Sequence, residues 1–116
     1  MSDALQRGVD QFLQGLRTER RLSPHTSNAY ARDLAALLDY CEAQGIACWD
    51  ALDPQHVRSF AAQCHRRGLA PRSIQRRLSA VRSLCRFLIR EGELKSDPVA
   101  DVQAPKARKR LPTTLD

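Results

Sequence analysis

The sequence predicts an all-α protein: a compact bundle of four main helices followed by a short C-terminal helical turn. Apolar residues recur at helical spacing in four segments, and prolines and glycines stand where those segments begin and end. No segment alternates between polar and apolar residues as a half-buried strand would. At 116 residues and 42% hydrophobic composition, the chain has the size of one domain with a single core.

The first helix is predicted over residues 3–20, where apolar side chains recur every three or four positions. Its expected buried residues are Leu5, Val9, Phe12, Leu13 and Leu16. Gly8 and Gly15 also lie in this segment, and each costs about 1 kcal/mol of helix stability relative to alanine. The apolar spacing favours a helix despite that cost.

A second helix is predicted to begin at Ser23-Pro24, because a serine can cap the free amides and a proline needs no amide at the first helical position. Gly45 is expected to end it. Its expected buried residues are Tyr30, Leu34, Leu37, Leu38 and Cys41. Asn28 and Arg32 lie on the outer arc. Tyr30 falls at the centre of the apolar stripe, so we interpret it as a core aromatic residue and not as a nucleophile.

The third helix is predicted to begin at Asp53-Pro54, a capping residue followed by proline as in the second helix. Trp49 and Leu52, in the connector before it, are expected to plug one end of the bundle. Gly68 should end the helix. Its expected buried residues are Val57, Phe60, Ala61 and Cys64.

The fourth helix, predicted over residues 71–90, has one apolar face and one basic face. The apolar face consists of Ile74, Leu78, Val81, Leu84, Cys85 and Leu88. The opposite arc consists of Arg72, Gln75, Arg76, Ser79, Arg82, Ser83, Arg86 and Arg90. The segment contains no carboxylate, so one side can anchor in a core while the other meets phosphate. Arg77 alone places a charge inside the apolar arc, and we expect it to extend past the core edge or to pair with an acidic partner.

The C-terminal segment begins with Asp97-Pro98, which is expected to open a short helical turn that holds Val99 and Val102. Beyond it, Pro105 and Pro112 enclose a basic run, a composition typical of an extended linker. We therefore predict a helical domain over residues 1–104 and the start of an interdomain linker over residues 105–116.

The net charge of +6 is concentrated in one block of the sequence. Residues 1–53 carry five basic and eight acidic side chains, residues 54–90 carry nine basic and none acidic, and residues 91–116 carry five of each. This distribution favours a nucleic-acid partner. It leaves open a solvated basic face, a helical interaction module that binds an acidic protein, and a helix-turn-helix regulator.

The cysteines and the hydropathy pattern exclude several other classes of site. Cys41, Cys48, Cys64 and Cys85 include no CxxC pair, and three of them fall on apolar stripes, so we interpret them as small buried hydrophobic residues and expect no metal site. The sequence shows neither a charged-then-apolar leader nor a run of about 18 apolar residues. We therefore expect a cytoplasmic protein.

Three groups of residues, taken in chain order, form a recognisable pattern. The first runs from Leu22-Ser23-Pro24-His25-Thr26 to Tyr30 and Asp33-Leu34, and the second is Leu78-Ser79-Ala80-Val81-Arg82. The third runs from Asp97-Pro98-Val99 through Ala104-Pro105-Lys106 to Leu111-Pro112. Together they resemble the N-terminal core-binding domain and interdomain linker of tyrosine recombinases, those of the bacterial Xer type in particular.

The resemblance implies a SAM-like bundle that forms one half of a clamp around double-stranded DNA, with its second and fourth helices across the major groove. The DNA contacts expected from the resemblance and from the basic arc are His25, Thr26, Asn28, Arg32, Arg72, Ser73, Gln75, Arg76, Ser79, Arg82 and Arg86. The linker phosphate contacts expected in addition are Lys106, Arg108, Lys109 and Arg110. Base reading is expected near Arg72 and Arg76, where an arginine could pair with guanine through two hydrogen bonds.

The helical wheel and the resemblance favour different sides of the fourth helix. The wheel centres the basic arc near Arg72, Arg86 and Arg90. The resemblance favours the side nearer Arg76 and Ala80, and Ala80 would then touch a thymine methyl group.

The resemblance also implies an activity for a full-length protein: cutting and rejoining DNA at a short recombination site, in chromosome dimer resolution, as a heterotetramer with the sister recombinase XerD. In that family the tyrosine nucleophile and its arginine, lysine and histidine partners lie in a C-terminal domain. Neither Tyr30 nor Tyr40 matches the nucleophile, and none of the three histidines matches a catalytic one. We therefore expect this chain by itself to bind DNA without catalysis and without a cofactor.

Overall fold

The computed structural model describes residues 3–19, 24–100 and 102. This part of the chain forms four α-helices and a short 3₁₀ turn, and it contains no strand, which confirms the predicted fold class. The helices are α1 (Asp3–Glu19), α2 (Pro24–Ala43), α3 (Pro54–Arg66) and α4 (Pro71–Arg90), and the 3₁₀ turn is Trp49–Ala51. The helix α4 packs against all three of the others, and α1 also packs against α2. It is therefore the central element of the bundle.

The start and stop signals predicted for α3 act as predicted, whereas Ser23, the predicted cap of α2, lies outside the described residues. Asp53 accepts a hydrogen bond from the backbone N–H of His56 at 2.9 Å, and the ring of His56 accepts one from the backbone N–H of Asp53 at 3.2 Å, which completes a capping box. The helix α3 ends in a Schellman motif in which Leu69 N–H donates to the Cys64 carbonyl and Gly68 N–H donates to the His65 carbonyl, both at 3.0 Å. Gly68 has a φ of 89° there, a conformation that favours glycine.

The core contains nearly every apolar residue predicted for it. The predicted faces of α1, α3 and α4 are buried, as are Trp49 and Leu52 in the connector. After α4, Val99 and Val102 are buried in a turn closed by a hydrogen bond from Val102 N–H to the Val99 carbonyl at 3.0 Å. Among the described residues, Asp33 is the buried charged side chain.

Two residues of α2 are less buried than predicted. Tyr30 and Leu38 are half-buried and pack against the edge of the core. The Tyr30 ring lies nearly parallel to that of Phe12 at a centroid distance of 6.4 Å, so it covers the core on one side and meets solvent on the other. Tyr30 is thus an aromatic residue at the core edge, not at its centre.

Gly8 has a packing role that its helix propensity does not reveal. A Cβ atom at this position would lie 2.6 Å from Nε1 of Trp49 and 3.2 Å from Cδ2 of Leu88. Real Cβ contacts do not approach 2.6 Å, so glycine lets α1 pass close to the indole. Within the described residues the buried Nε1 has no hydrogen-bond partner.

Three of the four cysteines are buried as predicted, and one is not. Cys41, Cys64 and Cys85 are buried, whereas Cys48 is exposed in the connector. Burial raises the pKa of the Cys41 thiol to about 11 and that of Cys85 to about 12. Within the described residues, no three His, Cys, Asp or Glu side chains cluster in a way that could hold a metal ion. None of the helices in this part of the chain has the length and hydropathy needed to cross a membrane.

Candidate nucleic-acid interface

The exposed side of α4 carries a row of polar and basic side chains. We call it the basic row, and its members are Arg72, Gln75, Ser79, Arg86 and Arg90, all exposed. Twenty residues of α-helix extend about 30 Å, so the row spans the full length of the domain's central helix. Within the described residues, none of its three arginines is ion-paired, so their guanidinium groups can meet an anion without breaking an ion pair in that part of the chain.

Arg76 lies beside the basic row but is held by a carboxylate from another helix. Its Nε and Nη2 atoms donate to Oδ2 and Oδ1 of Asp33, each at 3.0 Å. Asp33 lies in α2, is fully buried, and is 43 residues away in sequence. The hydrogen bonds that Arg76 donates to Asp33, together with the negative charge of that carboxylate, raise the pKa of Arg76 above its ordinary value. The guanidinium group therefore stays charged, and half of the side chain remains exposed.

Arg77 contacts the same carboxylate from inside the bundle. Its Nε donates to Oδ1 of Asp33 at 3.2 Å, and its Nη1 donates to Sγ of Cys64 at 3.5 Å. The Arg77 side chain is 19% exposed. Of the two expectations for Arg77, pairing with an acidic partner is therefore the one that the structure shows. We call Asp33, Arg76 and Arg77 the polar junction, and its formal charge is one positive unit.

The expected contact between Ala80 and a thymine methyl group is wrong, because Ala80 is fully buried. One flank of α4 carries Arg76, Ala80 and Phe87. Arg76 is bonded to α2, and Phe87 packs against Phe12 of α1 with ring centroids 5.7 Å apart. Ala80 lies between these two contacts on the same flank, so α1 and α2 cover it. The helical wheel, which centred the exposed arc near Arg72, Arg86 and Arg90, describes this surface better.

The two later arginines of the predicted set differ from each other. Arg82 is half-buried, and its Nη2 lies 3.5 Å from the backbone carbonyl of Val102, so one end of the group points to the C-terminal turn. Arg86 is exposed and belongs to the basic row. Ser73 is half-buried at the start of the helix.

The predicted residues of α2 lie next to the polar junction. Asn28 and Arg32 are exposed and one turn apart, and Arg32 precedes Asp33 in the chain. The pairing of Asp33 with Arg76 thus brings the first half of α2 beside the first two turns of α4. The side chains of His25 and Thr26, and residues 103–116 with Lys106, Arg108, Lys109 and Arg110, lie outside the described residues.

Asp33 was not singled out among the candidate contacts, although the sequence contains a signal for it. Asp33 lies at helical spacing from Tyr30 and Leu37, next to the predicted apolar arc of α2, and Arg77 lies inside that of α4. Two opposite charges, each on an otherwise apolar face, are expected to neutralise one another in the core, since an isolated buried charge is costly.

Comparisons with known proteins agree with this architecture. Residues 9–92 match the family described as the phage integrase N-terminal SAM-like domain. The fold is similar to that of the crystal structure of the N-terminal domain of a phage integrase/site-specific recombinase from Haloarcula marismortui, with a TM-score of 0.76 at 16% identity. That alignment covers 90% of this chain and 99% of the other.

Sequence relatives are longer than this chain. It is 45% identical over 112 residues to tyrosine recombinase XerC of Pseudomonas syringae pv. tomato, an alignment that covers 97% of this chain and 38% of the relative. Tyrosine recombinase XerC of Azotobacter vinelandii is also 45% identical over 112 residues, with the same coverage. The chain thus spans well under half the length of these relatives. From the match over residues 9–92 and these identities, the chain belongs to the phage integrase N-terminal SAM-like domain family.

Proposed function

We propose that this chain is the DNA-binding half-clamp of a site-specific tyrosine recombinase. The observation that carries the proposal is the basic row, whose guanidinium groups have no ion-pair partner among the described residues and lie along a helix without any carboxylate of its own. The relatives named tyrosine recombinase XerC support the assignment to recombination. Arginines on one exposed helix face suit the phosphate backbone, where each neutralised phosphate releases counterions.

In this proposal the residues of the two helices have different roles. Arg86 neutralises a phosphate, with Arg82 contributing through its exposed part. Arg72, for which base reading was also expected, is assigned a phosphate contact because no partner among the described residues fixes its direction. Arg76 reads a base edge in the major groove, with Gln75, Ser79 and Ser73 as neighbouring polar contacts. On the α2 side the contacts are His25, Thr26, Asn28 and Arg32, and in the linker they are Lys106, Arg108, Lys109 and Arg110.

The full-length protein would complete the clamp with a catalytic domain that holds the tyrosine nucleophile. Residues 1–104 would be the core-binding domain, and residues 105–116 the start of the linker. Two half-clamps joined by a linker bind more tightly than either alone, because the second contact becomes intramolecular. The proposed activity is cutting and rejoining of DNA in chromosome dimer resolution, in the cytoplasm, as a tetramer with the sister recombinase XerD.

The test is a salt series of DNA binding by the 116-residue chain. Duplexes are selected from a random library. The observed binding constant is then measured between about 50 and 200 mM salt, a range over which binding through several phosphate contacts weakens by orders of magnitude. For wild type we expect the logarithm of the binding constant to fall linearly with the logarithm of the salt concentration. Arg86→Ala should make this negative slope shallower by about 0.9 and weaken binding to all sequences alike.

Arg58→Ala is the matched control, because it also removes one exposed arginine but lies in α3, outside the proposed interface. Its Nη1 bonds Gln55 at 2.9 Å on the surface of that helix. We expect its salt slope to equal that of wild type. An affinity that does not change with salt, or an Arg58→Ala effect as large as that of Arg86→Ala, would contradict the proposal.

A further inference from the structure

We propose that Asp33 is a positioning residue for base reading: it fixes Arg76 so that one edge of the guanidinium group is held by the protein and the outer end is presented to guanine. This inference rests on the proposed DNA-binding function. It adds a residue that itself touches no DNA and that determines how Arg76 can.

The first step concerns which donors of Arg76 are free. A guanidinium group has five N–H donors in a fixed plane. Asp33 takes the N–H of Nε and one N–H of Nη2, in two parallel bonds of 3.0 Å. Three donors remain, both hydrogens of Nη1 and the second hydrogen of Nη2. The outer hydrogen of Nη1 and the free hydrogen of Nη2 point away along the side-chain axis as a fork. Since half of the side chain is exposed, the fork is available to a ligand.

The second step concerns which base the fork fits. In the major groove guanine offers two adjacent acceptors, O6 and N7, whereas adenine offers an acceptor beside a donor. A fork of two donors satisfies both acceptors of guanine and cannot satisfy the adenine pair. A phosphate would accept from such a fork as well, so orientation is needed for selectivity. Here Asp33 supplies that orientation.

The third step concerns what the pairing does before DNA binds. An unattached arginine samples many rotamers and loses that freedom when it binds, which weakens binding. Arg76 has lost much of it already, because a fully buried carboxylate from another helix holds it. The exposed arginines of the basic row have no such partner within the described residues. They suit flexible phosphate contact, whereas Arg76 suits a contact of fixed geometry.

The fourth step explains why one carboxylate meets two arginines. A buried Asp33 with Arg76 alone would leave an ion pair without net charge to attract DNA. Arg77 adds a second guanidinium group from the interior, 19% exposed, and leaves the junction one unit positive. Asp33 can therefore hold Arg76 without cancelling the positive potential that the DNA contact needs.

The experiment compares wild type, Asp33→Asn, Arg76→Lys and the double variant on the selected duplex and on duplexes that differ from it at one base pair. For wild type we expect one G·C pair whose replacement weakens binding by about 5- to 150-fold, the range of a good bidentate pair. Arg76→Lys keeps the charge without the fork and should reduce that ratio to within about threefold of unity, with an unchanged salt slope. Asp33→Asn should reduce the same ratio, and the double variant should lose no more than Arg76→Lys alone, because Asp33 acts through Arg76.

A second measurement uses wild type only, so that it holds even where Asp33→Asn does not fold. Side-chain ¹⁵N relaxation should show Arg76 Nε as rigid in the free protein and Arg72 and Arg86 Nε as mobile. Adding the duplex should shift the Arg76 Nη signals and leave its Nε–H signal in place.

Several results would overturn the inference. One is a folded Asp33→Asn that keeps the wild-type base-pair ratio, and another is an Arg76 Nε as mobile as that of Arg72. A shift of the Arg76 Nε–H signal when the duplex is added would also do so, because it would mean that Arg76 leaves Asp33 to reach DNA. If wild type binds duplexes in a salt-dependent way and both variants still distinguish the G·C pair as wild type does, this inference alone is contradicted. Wild type that binds no duplex contradicts the proposed function as well.

Discussion

The two ends of α4 are joined to the rest of the bundle in opposite ways. Near its start, the polar junction places a buried carboxylate of α2 between Arg76 and Arg77. Near its end, Leu88 lies beside Gly8 of α1 and the ring of Trp49, where a Cβ atom on Gly8 would lie 3.2 Å from Cδ2 of Leu88 and, too close to fit, 2.6 Å from Nε1 of the indole. We call the second place the tight junction.

Under the proposed function, the difference lets one helix serve both as an anchor and as a recognition element. Apolar contacts are not directional, so the tight junction can fix the distance between helices but presents nothing to solvent. Hydrogen bonds to a carboxylate have a fixed geometry, so the polar junction fixes the direction of a side chain that extends outward. We infer that stability depends on both ends of α4, whereas selectivity depends only on its start.

The largest expected effect comes from removing the carboxylate of the polar junction. Asp33→Ala leaves Arg77 in the bundle without its acidic partner, and loss of one member of a buried pair costs about 3–5 kcal/mol. We expect a loss of about 3 kcal/mol in the free energy of unfolding, the lower end of that range, because both guanidinium groups keep some contact with water. Urea denaturation followed by circular dichroism measures it.

Arg76→Ala is the matched control for that measurement. It removes the half-exposed partner and leaves Asp33 paired with Arg77, so its cost should be clearly smaller than that of Asp33→Ala. Equal losses for the two variants would mean that Arg77 does not compensate Asp33, and the junction would then be a simple pair.

A smaller loss is expected at the tight junction. Gly8→Ala gains up to about 1 kcal/mol of helix propensity, but its Cβ would meet the rigid indole at 2.6 Å, and overpacking of this kind costs about 1–3 kcal/mol. We therefore expect a net loss of about 1 kcal/mol in unfolding free energy, although the propensity scale alone predicts a gain. Thermal and urea unfolding measure it, with Gln11→Ala, at an exposed position of the same helix, as the control.

A double-mutant cycle identifies the cause of that loss. Trp49→Phe removes the Nε1 atom that the new Cβ would strike, and this atom has no hydrogen-bond partner within the described residues. In the Trp49→Phe background, Gly8→Ala should therefore cost less than in wild type. Additive effects would show that the strain lies elsewhere.

The contrast between the two junctions also explains what could be predicted from the sequence. Helix bounds and core faces follow from periodicity and from the caps at Asp53 and Gly68, which are local signals. The pairing of Asp33 with Arg76 joins positions 43 residues apart, and no local pattern specifies which charges meet. The burial of Ala80 has the same origin, because it depends on how α1 and α2 cover one flank of α4. The wheel places a residue on an arc, but only the packing of other helices decides how wide the buried arc is.

The smallest expected effect concerns the core between the two junctions, where Cys41 and Cys85 lie on the buried faces of α2 and α4. Burial raises their thiol pKa values from 9.0 to about 11 and about 12. In the unfolded chain these thiols ionise near pH 9 while in the folded chain they remain protonated. The unfolded state then binds fewer protons, so stability is fully present well below pH 9, has begun to fall by pH 9, where the unfolded thiols are half ionised, and is lost further as the pH rises towards 12. Between pH 7 and pH 9 the two thiols together should lower the free energy of unfolding by about 1 kcal/mol.

The measurement is urea denaturation in reducing buffer at both pH values, for wild type and for a Cys41→Ala/Cys85→Ala variant. The lower absolute stability of the variant does not matter, because only the change with pH is compared. If the variant loses as much stability as wild type over this range, the loss belongs to other groups. If the variant loses less, the buried thiols of α2 and α4 make the fold sensitive to alkaline pH, whereas the polar junction, where Arg76 stays charged, does not.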